Sequence, residues 1–279
     1  MIKLDNNRKM LLIDGYGFIF RAFYALPSLT TSSGIPIGAI HGFINMIIPL
    51  LQKYQGKDDK VLVVLDSPSS KKTIRHNIYQ NYKANRVKTP QDLVSQFALV
   101  REMLKSFSIP YVEQDGLEAD DIIAAYSQRA IANNYKVIIA SGDKDLLQLI
   151  TDDSCLVYDP IKKRTVDSTI VQEILGILPQ QIVDYLALIG DSSDNIPGVA
   201  GIGPKAAISL LSDYRDIEEI YDNIAKIKPI RRQNLLRECE AKAKISKKLV
   251  QLHPQEVKIY QEFTNVQWKE LEQFDDAIK

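Results

Sequence analysis

The sequence predicts an α/β protein with a central, mostly parallel sheet flanked by helices, followed by a mainly helical region. Three observations carry this. Short, unalternating, β-branched runs recur at Met10–Asp14, Val61–Asp66 and Lys136–Asp143, as expected for parallel strands covered on both faces. Helical patterns lie between them, which implies crossover connections and an open sheet. After about residue 168 no strand-like run remains, so a boundary is placed there: an α/β core over 1–167 and a helical region over 168–279.

The connecting helices follow from periodicity and end signals. Ile40, Phe43, Ile44, Ile47 and Ile48 share one helical face. Thr89-Pro90 supplies an N-cap and a first-turn proline to a helix carrying Leu93, Phe97, Val100, Met103 and Leu104. Leu117 to Asn133 reads as a third helix with Ile122, Ile123 and Tyr126 inward. Open α/β sheets bind ligands at the carboxyl ends of their strands, so what stands there sets the chemistry.

Carboxylates stand there. Asp14, Asp66 and Asp143 each end a strand at the same sheet edge. Glu118-Ala-Asp120-Asp121 opens one helix, and Asp143-Lys-Asp145 precedes an apolar run that predicts another. Asp191 and Asp194 are spaced to face one way. Any one acid at a helix start is explained by capping. Eight or nine converging on one edge repel each other unless cations intervene. The histidines are His41, His76 and His253 and the cysteines Cys155 and Cys239. None is paired at zinc-ligand spacing, and two cysteines make no disulfide framework. All-oxygen donors suit Mg²⁺ or Mn²⁺. Two such ions ~4 Å apart clamp the attacking and leaving oxygens of a phosphodiester.

The stretch 71–89 carries Lys71, Lys72, Arg75, Lys83, Arg86 and Lys88 and no acid, with Tyr79 and Tyr82 interleaved. It follows the strand-end Asp66 and so overhangs the acidic edge. Cations hold phosphates and tyrosine rings stack on unpaired bases, a combination suited to single-stranded nucleic acid. Further on, glycines 198, 201 and 203 precede Pro204, Lys205 and an apolar helix. The amides of such a turn form an anion site, which Lys205 strengthens. The spacing, within 196–212, resembles a helix-hairpin-helix binder of duplex backbone.

Together these residues are identifiable. LLIDGYGFIFRAFYALP, VVLD followed by RHNIYQNYKANR, GLEADDIIA, ASGDKDLLQL and LIGDSSDNIPGVAGIGPKAA resemble the 5′–3′ exonuclease domain of bacterial DNA polymerase I, of the flap endonuclease family. The resemblance runs from residue 10 to about 211 and more loosely to about 250. It implies a PIN-like core with a helical arch over 67–92 and a C-terminal helix–three-turn–helix DNA-binding element. It implies that Asp14, Asp66, Glu118, Asp120, Asp121, Asp143, Asp145, Asp191 and Asp194 hold two or more Mg²⁺ or Mn²⁺ ions. Lys83 and Arg86 then engage the scissile phosphate, Tyr82 stacks near the scissile nucleotide, and Arg21 is a further phosphate contact. Arg75, Gly198, Gly201, Gly203 and Lys205 are expected to bind DNA, with K⁺ at the hairpin. Ile37 and His41 depart from the family's usual Thr and Tyr, away from the carboxylates.

The expected activity is metal-dependent hydrolysis of DNA with a 5′ flap, nick or gap, leaving a 5′-phosphate and a 3′-hydroxyl, in primer removal and repair. Polymerase domains are expected partners in cis or in trans. Two other readings stand beside it. A small-molecule phosphatase fails at the first strand, because Asp14 is followed by Gly15 and Tyr16 rather than a second Asp two residues on. A non-catalytic DNA-binding module needs an assay to exclude it. The longest apolar stretch, near Phe43–Leu51, is broken by Asn45 and Pro49 and falls short of the ~20 residues of a membrane span. A cytoplasmic monomer is expected.

The formal net charge of zero, from 35 basic and 35 acidic residues, hides segregation. The 224–249 stretch holds nine basic residues against two acidic, while 113–121 holds five acids and no base. Binding depends on where charges sit rather than on their sum.

Overall fold

The computed structural model describes residues 8–26, 28–54, 56, 58–67 and 73–259. Lys71, Lys72, the adjoining part of the expected arch and residues 260–279 lie outside them. The chain runs β1 (Lys9–Asp14), α1 (Gly15–Ala25), α2 (Gly38–Lys53), β2 (Lys60–Val64), α3 (Ile74–Ile78), α4 (Gln91–Ser106), β3 (Tyr111–Val112) and α5 (Ala119–Ala132). It continues with β4 (Lys136–Ala140), β5 (Cys155–Asp159), β6 (Arg164–Val166), α6 (Ser168–Leu175), α7 (Ile182–Ile189), α8 (Pro204–Asp213), α9 (Ile217–Asp222) and α10 (Ile230–Val250). A 3-10 turn over Asp145–Leu149 stands where a helix was expected.

The sheet has six strands in the order β3-β2-β1-β4-β5-β6. All neighbours are parallel except β5 and β6. The strand order reverses at β1, so the crevice between β1 and β4 is the topological switch point where ligands bind in such sheets. The three expected strands are its centre. The other three escaped sequence reading because β3 is two residues long and β5 and β6, towards the edge, have only partly buried patterns.

Period-two alternation splits the core into two layers. Leu11, Ile13, Val61 and Val63 face Phe18, Phe43, Ile47, Leu93 and Val100 on α1, α2 and α4. Met10, Leu12, Leu62 and Val64 face Ile122, Ile123 and Tyr126 on α5. The second cluster continues without a break into Leu186, Leu210, Leu236 and Leu249 of the helical region. The sheet and the helical region therefore share one core across residue 168, which fixes the hairpin relative to the acidic edge. On the other face, α1 and α2 approach closely at Gly42, where a Cβ would stand 2.7 Å from that of Ala22.

The described part of the arch is less helical than expected. Only α3 is helix, and Tyr79–Arg86 is a series of turns. Lys83 has φ 57°, a left-handed conformation that ends helical propagation.

Phe43 is fully buried between α2 and the sheet. Phe43→Ala should destabilise the protein by about 3–5 kcal/mol, read as a lower urea midpoint at unchanged slope.

Candidate functional site

At the carboxyl end of β1, Asp14 caps α1, accepting from the Gly17 amide at 3.0 Å. Its other oxygen accepts from the Ser141 hydroxyl at 2.7 Å, at the end of β4. Asp66, two residues beyond β2, accepts from the Ala119 amide at 2.9 Å and so ties β2 to the start of α5. Asp143 is held by the Ser141 hydroxyl through its amide at 3.0 Å, and accepts from the Asp145 amide at 2.8 Å. Asp120, in the first turn of α5, lies within electrostatic reach of Asp143, Asp14, Asp66 and Asp145.

These five acids form an inner group short of positive charge. Burial pushes Asp14 up to about 6, with Asp66 and Asp143 adding repulsion against the Ser141 and Gly17 hydrogen bonds. Burial raises Asp66 as well, outweighing the Ala119 hydrogen bond and the Lys83 charge. Asp120 is pushed well above the usual carboxylate range by burial and then by its four acidic neighbours. Asp145 is raised by burial and by Asp143. Its Oδ1 is buried without a hydrogen-bond partner.

The outer acids are already paired. Glu118 accepts from Lys83 Nζ at 2.8 Å, the Tyr82 hydroxyl at 3.1 Å and the Thr73 hydroxyl at 3.2 Å. Burial would raise its pKa, but Lys83 and Arg75 outweigh burial and hold it low. Asp194 takes both Nε and Nη2 of Arg86 on one oxygen, at 3.0 and 2.6 Å. The Lys83 amide donates to the Asp194 carbonyl at 2.9 Å, so the arch turn is docked on the 190–196 loop. Asp191 pairs with Lys144 at 2.6 Å and accepts from the Ser193 amide at 2.7 Å. Against burial, these hold its pKa low.

Four expected roles differ from the geometry: those of Asp121, Arg75 and Tyr82, and that of Gly198, which was expected to bind DNA but is buried with its amide given to Ser246. Asp121 was expected among the metal ligands, but it faces away from the inner group. It is 1% exposed and takes both terminal nitrogens of Arg75, at 2.7 and 2.9 Å. It sits next to Asp120 in sequence, and consecutive helical residues point about 100° apart. Arg75 was expected to bind DNA, but is 2% exposed, with its guanidinium taken up by Asp121 and other buried partners. Tyr82 was expected to stack on a nucleotide. Its ring is buried at 4% exposure, edge-on to His76, and only its hydroxyl reaches Glu118 and Asp194. The left-handed Lys83 follows it and belongs to the turn that tucks the ring inward.

The remaining candidates stay near the edge or on the hairpin. Arg21 lines a cavity of about 390 Å³ with Asp14, Asp143, Phe18 and Ile161. Gly198 is structural: its φ is 61°, and a Cβ there would meet the Gly190 nitrogen at 2.5 Å. Gly201, Gly203 and Lys205 are exposed, with Gly203 at the N-cap of α8. Ser141 and Lys144, which sequence reasoning passed over, were visible inside the ASGDKD motif. They follow β4, where any polar side chain reaches the same edge.

Among the described residues, no three His, Cys, Asp or Glu side chains already form a coordination cage. The inner group nonetheless suits hard divalent cations. Its donors are all carboxylate oxygens, it holds an unpartnered buried oxygen at Asp145, and its carboxyl pKa values are raised by burial first and by mutual repulsion of the acids second.

Family comparison fits this geometry. Residues 9–176 match the model of the 5′–3′ exonuclease N-terminal resolvase-like domain, and residues 177–274 match the 5′–3′ exonuclease C-terminal SAM fold. The chain belongs to the 5′–3′ exonuclease family. The chain is 39% identical over 246 residues to the 5′–3′ exonuclease of Aquifex aeolicus, covering 88% of this chain and 82% of that one. It is 42% identical over 256 residues to DNA polymerase I of Rhizobium leguminosarum, covering 90% of this chain but 25% of the polymerase. The chain thus spans about a quarter of that relative's length. Its fold is that of a T5 5′-exonuclease solved with bound zinc, with a TM-score of 0.72, 24% identity, and coverage of 89% of this chain and 90% of that one. A T5 flap endonuclease solved as a pseudo-enzyme–product complex with DNA and metal ions gives a TM-score of 0.71 at 23% identity, covering 87% and 89%.

The inner acids make stability depend on pH with a definite sign. A carboxyl whose folded pKa lies above its unfolded one binds protons more readily when folded, so folding is favoured as pH falls through that interval. For Asp14 the window runs from about 6 down to its ordinary 3.8. Without divalent metal, the melting temperature should rise as pH is lowered from 7 towards 5. Addition of Mg²⁺ at pH 7 should remove most of that rise.

Proposed function

We propose that this 5′–3′ exonuclease is a structure-specific, divalent-metal-dependent DNA nuclease that acts at 5′ flaps, nicks and gaps. It would leave a 5′-phosphate and a 3′-hydroxyl. The carrying observation is the inner group of uncompensated acids at the switch point, faced by the cations of the arch turn. The metal ions and DNA named for the T5 flap endonuclease complex support the same reading.

Asp14, Asp66, Asp120, Asp143 and Asp145 would hold Mg²⁺ or Mn²⁺, with Glu118, Asp191 and Asp194 completing the set. The ions, when bound, lower the pKa of attacking water and neutralise charge on the phosphodiester. The chain itself supplies the rest. Asp14 and Asp143 are fixed through the shared Ser141 hydroxyl, so the acidic surface is preorganised. Lys83 and Arg86 hold Glu118 and Asp194 and lie where an incoming phosphate would exchange for those carboxylates. Arg21 offers a further cation beside Asp14. Exposed Gly201 and Gly203, the amides opening α8, and Lys205 would grip duplex backbone, with K⁺ as a candidate ion at the turn. Primer removal and repair in the cytoplasm, beside polymerase domains in cis or in trans, are the roles this activity would serve.

Incubation of a 5′-flap substrate with Mg²⁺ should release the flap, and EDTA should stop release; cleavage in EDTA would refute metal dependence. Asp120→Asn or Asp143→Asn should abolish cleavage while gel-shift binding survives, and near wild-type cleavage by either would sink the metal assignment. Lys83→Ala should slow single-turnover cleavage by roughly 10²- to 10³-fold, the scale of one lost electrostatic donor. An unchanged rate would remove Lys83 from the site.

A further inference from the structure

Arg75 and Asp121 form a buried pair that neither metal binding nor phosphate contact uses. Arg75 opens the arch on α3, and Asp121 lies in the first turn of α5, beside Glu118 and Asp120. The guanidinium has three further partners. Its Nε donates to the Leu249 carbonyl at 2.7 Å, and Nη2 to the Gln251 carbonyl at 3.2 Å. Nη1 reaches Glu118 at 3.4 Å. Asp121 also accepts from the His253 amide at 2.8 Å. The free carbonyls at the C-terminal end of α10 are thus taken by a cation, the favourable arrangement at that end of a helix dipole. The carbonyl between them, Val250, accepts from Gln148 at 3.2 Å, three residues after Asp145.

The same turn of α10 holds the hairpin. Ser246 is fully buried, and its hydroxyl accepts from the Gly198 amide at 3.0 Å. Ser246 and Leu249 are three residues apart, one helical turn. A continuous set of contacts therefore runs from Gly198 through Ser246 and Leu249 to Arg75, and from Arg75 to Asp121 and Glu118.

We propose that Arg75 is a positioning residue that ties the duplex-binding hairpin to the catalytic acids. With Asp121 it clamps the arch base and the start of α5 onto the last turn of α10, so that duplex seated on the hairpin meets Lys83, Glu118 and Asp120 in fixed register. The proposal rests on the nuclease reading above. It assigns Arg75 no contact with DNA and Asp121 no contact with metal.

The test uses the full chain and the double variant Arg75→Met/Asp121→Leu, which removes both charges together and strands neither. Arg75→Lys, which keeps the charge but loses the forked grip, is the second variant. All assays run well below the measured melting temperature of each. Duplex affinity is read in EDTA as a function of salt, where each lost phosphate contact lowers the slope of log K against log salt by about 0.9. The expected result is an unchanged slope and affinity within about twofold, with Mg²⁺ binding by calorimetry equally unchanged. On a 5′-flap substrate, kcat should fall roughly 10- to 100-fold in both variants, the scale of misplaced reacting groups, with KM nearly constant. Ser246→Ala should slow the wild type and have little further effect in the double variant, because residues in one network do not add. A slope reduced by about 0.9 would make Arg75 a phosphate contact and overturn the proposal. So would weakened Mg²⁺ binding, unchanged kcat in folded variants, or additive effects of Ser246→Ala. The salt-slope and calorimetric arms need no cleavage, so failure of the wild type to cut DNA would tell against the nuclease reading separately.

Discussion

Five carboxylates gathered where parallel strands end repel one another, and much of the surrounding architecture serves to keep them there. Like charges in a poorly solvated pocket shift towards their protonated forms, as Asp14, Asp66, Asp120 and Asp145 do. The structure limits that response with fixed dipoles. Ser141 donates to Asp14, and the amides of Gly17, Ala119 and Asp145 donate to Asp14, Asp66 and Asp143. Each donor comes from an element locked by the core beneath it. The repulsion is therefore stored rather than relaxed, and the stored charge is what a divalent cation would find.

Around that inner group the chain provides its own counter-ions. Lys83, Arg86 and Lys144 each sit on an outer acid. Such partly exposed pairs contribute little to stability on their own. Their importance lies in placement, since the same cations stand at the edge where a phosphate backbone would arrive. Lys83 is held twice, through its side chain to Glu118 and through its amide to the Asp194 loop. The arch turn and the 190–196 loop are consequently joined through backbone as well as side chains.

The helical region takes part in the site. Its apolar residues belong to the same cluster as one face of the sheet, and α10 ends on Arg75 at the base of the arch. A hairpin on an independently tumbling module could not hold a fixed register to the acids. A shared core and a buried ion pair remove that freedom.

Much of this was legible in the sequence, because strand-end carboxylates, glycine turns and apolar runs are local signals. Asp14 and Asp66 each close a run of four or five apolar residues and Asp143 follows one after Ser141 and Gly142, so their common edge followed from parallel pairing alone. The glycines at 198–203 marked a backbone turn by composition. Only the tertiary structure decided which acids face one another. Asp120 and Asp121 are adjacent, chemically identical and equally suited to a metal. One points at Asp143 and the other at Arg75, because helical rotation separates them and a distant helix end claims the second. Likewise Arg75 and Tyr82 lie in a stretch whose charge and aromaticity suggest an exposed nucleic-acid surface, yet both are buried. Burial depends on what packs against a residue from 36 to 176 positions away, and local pattern carries no record of that partner.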